Sequence, residues 1–239
     1  MIKNMEYIQK YKKIIGIIVG VVFLGALAWG FALGPSPSSN SFTLSRESLP
    51  SSWEFTGLYN TPELTANVQK NIGTLKEKIN EEGADVYDIY LSIAQQYALV
   101  GKGKEAYDYL LKAGKQDPGN SLTFQTMGSL MESLKAYTAA EEAYKQATIV
   151  QPQILQNHLA FIGFYIGQKA DAVKIESAFA YALEKSGRAT NVLKEYAQWL
   201  EGQKNTVKAL TVWEEVLKQV PEDSAVKDKI NQLKRKLIK

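Results

Sequence analysis

A long apolar run lies close to the N-terminus of the chain. Residues 14–33 include no charged side chain, and a helix of these 20 residues is about 30 Å long, the thickness of a bilayer's hydrocarbon core. Three lysines lie within residues 10–13, whereas no charge follows the run until Arg46. By the positive-inside rule, this pattern predicts one transmembrane helix, with residues 1–13 in the cytoplasm and the rest of the chain across the membrane.

Two features of this run allow more than one interpretation. Ala26 and Ala28 form an A-x-A-like site at which a signal peptide would be cleaved. Signal h-regions run about 7–15 residues, so the length of this run favours an uncleaved anchor. Gly16 and Gly20 are spaced as G-x-x-x-G, which lets two membrane helices approach closely and offers a route to a homodimer. Glycine is also common in transmembrane helices generally, so both interpretations of this pair stay open.

Downstream of the run, the pattern changes twice. Residues 34–61 begin with proline and serine and show no helical period, which indicates a linker followed by an irregular segment. We expect the large apolar side chains of this segment, Trp53, Phe55 and Tyr59, to dock on the first helix of the folded domain. From residue 62, apolar residues recur every three or four positions, which predicts an amphipathic helix. Its apolar stripe consists of Leu64, Val68, Ile72, Leu75 and Ile79.

A repeated quartet of residues organises the rest of the chain. A small residue is followed by a large one four positions later, a small one three later and a proline five later. The copies are Ala106-Leu110-Ala113-Pro118, Ala140-Tyr144-Ala147-Pro152, Ile175-Phe179-Ala182-Gly187 and Ala209-Trp213-Val216-Pro221. Self-similarity at this period is typical of helical repeat arrays, whose unit is a helix A, a short turn and a helix B. The sequence therefore predicts an all-α domain over residues 62–239, with repeats at about 87–120, 121–154, 156–189 and 190–223.

The first helix of each copy adds a second motif, and together the two resemble the tetratricopeptide repeat (TPR) family. In that family, helix A has a large residue, then Leu-Gly, then Tyr. The second copy has Phe124, Met127-Gly128 and Met131 at these positions. The resemblance covers about residues 85–221. It implies a right-handed α-solenoid of about four helix pairs with flanking N- and C-terminal helices.

The third copy departs from the family pattern. Ile175 takes a small position, Gly187 replaces the proline, and the phase slips by one residue. Beyond the repeats, residues 223–238 form one further amphipathic pattern that suits a C-terminal cap helix. The last turns of this helix are rich in lysine and arginine. Such residues suit the helix dipole, which is the simpler explanation, and they can also attract an anionic membrane.

Small residues let paired helices approach closely, and the large residues between them fill the remaining space. The predicted packing set comprises the small residues of both helices in the four copies. Its members are Ala94, Ala106, Ala113, Gly128, Ala140, Ala147, Gly163, Ala182, Ala197 and Ala209.

The composition of the chain mainly excludes classes of partner and of functional site. The net charge is +3, and residues 1–33 hold four lysines and one glutamate, so the rest of the chain nets zero and no nucleic-acid partner is indicated. The chain has no cysteine and a single histidine, His158. A cysteine-based metal site is therefore impossible, and no motif predicts a metal, a cofactor or an enzyme.

The TPR resemblance implies that the A helices line a concave groove in which a partner protein or peptide binds. Repeat phase selects the groove residues Gln95, Gln125, Glu132, Asn157, Phe164, Asn191, Lys194 and Gln198. Side-chain amides both donate and accept hydrogen bonds, so this set suits an extended peptide backbone. Two alternatives stay open: these residues form an ordinary polar surface, or residues 42–61 fill the groove.

The apolar run and the repeat array together predict a membrane-anchored scaffold or adaptor. Its partner would bind on the extracytoplasmic side, most simply of a bacterial plasma (inner) membrane. The lipid bilayer is the second expected partner, through residues 14–33. The alternative is a structural subunit of a multi-protein envelope or secretion complex.

Overall fold

The computed structural model describes residues 42–238 of the chain. These residues form ten α-helices, a three-residue 3-10 turn and one isolated β-bridge, so the predicted all-α class is confirmed for this part of the chain. The predicted transmembrane run of residues 14–33, with Gly16 and Gly20, lies outside the described residues. Within residues 42–238, no helix combines the length and apolar character needed to cross a bilayer.

The helices are stacked in chain order, each on its predecessor. A first helix, α1, precedes four A–B pairs and a closing helix, α10. The bounds are α1 Pro62–Lys78; α2 Val86–Leu99 with α3 Gly103–Gln116; α4 Ser121–Ser133 with α5 Tyr137–Val150; α6 Leu155–Gly167 with α7 Ala172–Lys185; α8 Thr190–Gly202 with α9 Thr206–Gln219; and α10 Ser224–Leu237. Each pair leaves an apolar face for the next pair, so only the stack buries a core.

Short polar side chains mark where many of these helices begin. Each accepts a hydrogen bond from a backbone N–H in the first turn, which replaces the partner that a helix start lacks. These N-cap residues are Thr61 at α1, Asp85 at α2, Asn120 at α4, Asp171 at α7, Asn205 at α9 and Asp223 at α10.

The small residues of the predicted packing set lie where helices meet. Nine of the ten are buried, and Ala140, Ala147 and Ala209 are fully inaccessible. Gly128 marks the closest approach between α4 and α5, because a Cβ atom there would lie 2.8 Å from the ring of Tyr144. The spacing of this helix pair therefore depends on a residue without a side chain.

Gly163 is the exception in the packing set. The helix α6 lies 34 residues after α4, so Ile162 and not Gly163 occupies the position equivalent to Gly128. A Cβ atom at Gly163 would have no heavy atom within 4 Å. We therefore correct the assignment of Gly163 to the packing set, since it faces open space.

The phase slip of the third repeat lies in the turn between its two helices. Residues 168–171 separate α6 from α7, whereas residues 134–136 separate α4 from α5, so the third turn is one residue longer. The helix α7 thus begins 35 residues after α5, and Phe179 occupies the position of Tyr144. With large residues at both small positions, Ile162 and Ile175, the third pair packs less extensively than the other three.

Residues 42–61, here called the arm, begin on the side of the stack formed by the B helices. Phe42 packs edge-on against Phe124, with ring centroids 5.3 Å apart, and Leu44 is buried. The backbone N–H of Ser45 donates to a carboxylate oxygen of Glu142 on α5 over 2.9 Å, and the Ser45 hydroxyl donates to the other oxygen over 2.6 Å. The start of the arm is therefore fixed to both helices of the second repeat.

The second half of the arm pairs with the turn between α2 and α3. Trp53 lies over Tyr107 of α3, with ring centroids 5.2 Å apart. The N–H of Tyr59 donates to the carbonyl of Leu99 over 2.9 Å, and the N–H of Gly103 donates to the carbonyl of Trp53 over 2.9 Å. Our expectation that the aromatic residues dock on the first helix is thus corrected, because their partners belong to α3 and its preceding turn.

Candidate functional site

The predicted binding residues belong to the A helices α2, α4, α6 and α8. The side of these helices that points away from their B helices is here called the A face. The arm lies on the opposite side of α4, against α3 and α5, and leaves the A face open. The predicted groove residues differ in accessibility. Gln95 and Asn191 are exposed, Gln125, Glu132, Lys194 and Gln198 are partly buried, and Asn157 and Phe164 are buried.

Glu132 lies near the end of α4 and is bound to the helix partner of that repeat. It accepts a hydrogen bond from the hydroxyl of Tyr144 over 3.2 Å. Burial raises the pKa of the Glu132 carboxyl above its usual value, and the hydrogen bond from Tyr144 opposes part of that rise. Glu132 thus ties α4 to α5 while its carboxylate remains partly accessible.

Two other predicted residues connect neighbouring elements along the A face. The side-chain amide of Gln125 donates to the backbone carbonyl of Gln156 on α6 over 3.4 Å. The ammonium of Lys194 on α8 lies 2.9 Å from a carboxylate oxygen of Asp223, the residue that caps α10. Both contacts align successive repeats, so the amide and the ammonium already have a partner within the chain.

Asn157 has a structural role that the sequence did not reveal. It is only 2 % exposed, and its side-chain amide donates to the carbonyls of Ala147 and Gln151 over 3.0 and 3.1 Å. These carbonyls lie at the C-terminal end of α5, where that of Ala147 also accepts the N–H of Gln151 over 3.3 Å. Asn157 therefore closes the turn from α5 to α6 and is removed from the set of accessible groove residues.

Phe164 is likewise part of the core. It is 4 % exposed and packs on Tyr144, with ring centroids 5.4 Å apart. Both misplacements have one cause. The sequence phase placed α6 one residue too late, so each predicted contact residue of this helix belongs to a neighbouring, inward-pointing position.

The corrected phase places other residues of α6 on the A face. Gln156, Leu159, Gly163 and Gly167 follow at steps of three or four, which keeps them on one side of the helix. Cβ atoms at Gly163 and Gly167 would both have open space within 4 Å. The centre of the A face is therefore a shallow apolar strip on α6, in which Gly163 and Gly167 have no side chain. Residues with side-chain amides lie on the neighbouring helices α4 and α8.

His158 shows no arrangement suited to chemistry. It is 2 % exposed, its Nε2 atom lies 2.8 Å from the carbonyl oxygen of Pro152, and its ring packs near Tyr181. Among residues 42–238, no group of three or more histidine or acidic side chains is placed to hold a metal ion.

Comparisons with known proteins concern the fold alone. No protein-family model and no curated protein sequence matches the chain. Among solved structures, MamA shares 14 % identity over 68 % of this chain and 94 % of its own, with a TM-score of 0.49. A TPR protein from Parabacteroides merdae shares 17 % identity over 70 % of this chain and 66 % of its own, with a TM-score of 0.48.

A third solved structure is a TPR protein from Thermus thermophilus, which shares 16 % identity over 70 % of this chain and 91 % of its own, with a TM-score of 0.45. At such identities these structures say nothing about partners. The description of this chain as a TPR-type array rests on its own four helix pairs and their spacing of 34 or 35 residues.

Proposed function

We propose that this protein is a membrane-anchored scaffold that binds an extended segment of a partner protein on its A face. The observation that carries the proposal is the strip over α6. Gly163 and Gly167 leave the helix backbone uncovered, so a partner backbone can approach closely there. Leu159 beside them is partly buried and provides an apolar contact for one partner side chain.

The surroundings of the strip suit the rest of such a segment. The amides of Gln95 on one side, of Gln156 at the start of α6, and of Asn191 and Gln198 on the other side can each donate and accept hydrogen bonds with a peptide backbone. The stack is already ordered by its own core, so binding would require little additional ordering of this surface.

Blocking the strip tests the proposal. Gly163→Arg places a long side chain in open space on the A face and is expected to lower partner recovery at least tenfold, because the approach to α6 is filled. Recovery is measured by cross-linking and quantitative co-purification from native membranes. Gly73→Arg on α1 is the matched control, since Gly73 is likewise a mid-helix glycine with open space around its Cβ position. Equal recovery of every partner from both variants would contradict binding on the A face.

The second part of the proposal is the anchor. The uncharged run of residues 14–33 has the length of a bilayer span, and the lysines before it favour retention of the N-terminus in the cytoplasm. The array would then act on the extracytoplasmic side, where the anchor concentrates it at the membrane surface.

A reporter fused after Lys239 checks this topology. We expect activity from an alkaline phosphatase fusion, which matures only outside the cytoplasm, and none from a cytoplasmic reporter fused at the same residue. Extraction with alkaline carbonate should leave the protein in the membrane. The opposite reporter pattern would contradict the proposed side, and release by carbonate would contradict the span.

A further inference from the structure

One edge of the helix stack collects the turns between the A and B helices of all four repeats. Because successive helices run in opposite directions, the turns at residues 100–102, 134–136, 168–171 and 203–205 all lie at the same end of the pairs. The start of α1 joins them, since Tyr59 of the arm bonds to Leu99 just before α1 begins. The end of α10 also lies there, because α10 reverses the direction of α9. We call this surface the turn edge.

Exposed apolar side chains concentrate on the turn edge. Ten large apolar side chains of the described residues are exposed, and eight of them lie at this edge. Three recur at the start of successive B helices, where Tyr137, Val173 and Val207 are 42 %, 76 % and 65 % exposed. The other five belong to the arm, α1 and the C-terminus. Only Ile149 and Ile154 lie at the opposite edge, so the distribution is one-sided.

A lysine lies in the turn before each of these three B helices, and its backbone has an unusual conformation. Lys135, Lys169 and Lys204 are exposed and have φ angles of 59°, 53° and 59°. The first repeat has Gly101 at the equivalent position, with φ 75°. Glycine adopts this left-handed conformation without strain, whereas a lysine does not. Arg188 has the same conformation at the opposite edge, with φ 61°, so it is the recurrence of lysine in three successive turns of one edge that distinguishes these residues.

The same turns are otherwise alike in every repeat. The residue after the left-handed one donates its N–H to a carbonyl five residues back, as in the bond from Ala136 to Met131 over 2.9 Å and that from Asn205 to Leu200 over 2.9 Å. The turn geometry is therefore set by the backbone and leaves the side chain at the left-handed position free of a packing role. Within the described part of the chain, no ion pair involves these three lysines.

The C-terminus also combines exposed basic and apolar side chains, whereas the connections at the opposite edge are mainly acidic. Arg235 and Lys236 are exposed beside Leu237 and Ile238, which are 46 % and 86 % exposed. At the opposite edge, the connections between helix pairs present the exposed carboxylates of Glu81, Glu82, Asp117 and Glu222 and the exposed cation Arg188, which pairs with Glu215. The four A–B turns of the turn edge hold one acid, Asp171, and are otherwise basic or neutral. The connecting residues of the two edges therefore differ in charge.

We propose that the turn edge rests on the surface of an anionic lipid bilayer. Lysines paired with protruding apolar side chains match the interface of such a bilayer, where phosphate groups lie next to acyl chains. The lysine and the apolar residue recur in each of the last three helix pairs along one edge, so they fit an extended flat surface better than a single peptide. A nucleic acid would satisfy the lysines but would leave the exposed valines and isoleucine in water.

This inference concerns described residues only and does not depend on the proposed span. It does deepen the proposed function. An array that lies edge-on to a bilayer keeps its A face at right angles to the lipid, where a partner can reach it. The expected strength follows from charge, because each lysine near an anionic surface contributes about fivefold to the equilibrium constant.

The absence of cysteine allows a direct test with the full chain in nanodiscs. Single cysteines at Val173 and Val207, and at Ile149 as the control, carry a fluorophore that nitroxide-labelled lipids quench. We expect strong quenching at residues 173 and 207 in bilayers with phosphatidylglycerol, little in pure phosphatidylcholine, and little at residue 149 in either. Equal quenching at both edges, or none at residues 173 and 207, would overturn the proposal.

Charge variants separate the lysines from the rest of the surface. Lys135→Gln, Lys169→Gln and Lys204→Gln together should lower the docking constant on the order of 100-fold and abolish the quenching. Lys115→Gln, Lys185→Gln and Lys218→Gln remove the same charge at the opposite edge and should leave it unchanged. Equal effects of the two triple variants would show a general charge effect and would refute a role for the turn edge.

Failure of the proposed span would be visible separately. If the chain is extractable by carbonate, the same labelled variants can be added to anionic vesicles and read by flotation and quenching, which test the turn edge without an anchor. If short duplex RNA or a soluble acidic protein protects the labels while anionic lipid does not, the turn edge binds that macromolecule and the bilayer proposal is wrong.

Discussion

Replacing Gly128 by alanine is expected to destabilise the array by about 2–3 kcal/mol, although alanine is the better helix former. The added Cβ atom would lie 2.8 Å from the ring of Tyr144. That ring is almost fully buried and is held by its hydrogen bond to Glu132, so it has no room to move aside. The variant must separate α4 from α5, which lie in the middle of the stack.

Gly163→Ala is the matched control, because Gly163 is also a mid-helix glycine in an A helix. With open space around its Cβ position, alanine there should stabilise the protein by up to about 1 kcal/mol through helix propensity. Urea unfolding of both variants and of the unaltered protein measures the two free energies. A neutral Gly128 variant would contradict the close approach of α4 and α5, and a destabilised Gly163 variant would contradict the corrected phase of α6.

This pair of glycines also marks what sequence could and could not predict. The 34-residue period predicted the helices, their order and the buried alanines, because each of those features depends on local spacing. Gly128 and Gly163 look equivalent in sequence, each following a large apolar residue. Gly163 nevertheless lies one position beyond the equivalent of Gly128, because the extra residue of the third repeat comes after α6, in the turn at residues 168–171, and not before it. The sequence showed a slip without showing its place.

The candidate site was predicted less well for the same reason. Shifting α6 by one position moved Asn157 and Phe164 into the interior and brought Gln156 and Gly163 to the surface. The predicted residues of α2, α4 and α8 are exposed or partly buried, and their role in binding a partner stays a prediction. An error of one residue rotates a helix by about 100°, which is enough to exchange a buried face for an open one.

The arm and the turn edge were beyond local inference. Aromatic residues without a period, such as Trp53, indicate burial but not the surface that buries them. The pairing of the arm with the turn at residues 100–102 depends on backbone groups, and every residue has these. Likewise, Val173 and Val207 look like ordinary helix residues, and only the stacked fold places them on one edge with the lysines.

Phe179→Ala is expected to destabilise the protein by about 3–5 kcal/mol and to release its C-terminal third first. Phe179 on α7 is fully buried and packs against Tyr196 and Trp199 of α8, with ring centroids 4.8 and 5.8 Å away. Contacts between α7 and α8 are otherwise sparse, and a recess of about 450 Å³ lies between them. Phe179 therefore carries much of the coupling between the third and fourth repeats.

In a repeat array, stability is shared between neighbouring units, so a weakened interface lets one end open alone. Hydrogen exchange should accelerate across α8, α9 and α10 in the Phe179 variant while α2 to α5 keep their protection. Val173→Ala, on the same helix but 76 % exposed, should change stability by less than about 0.5 kcal/mol. Uniform acceleration along the whole chain would mean that the array unfolds as one unit, and that the sparse α7–α8 interface is not its point of division.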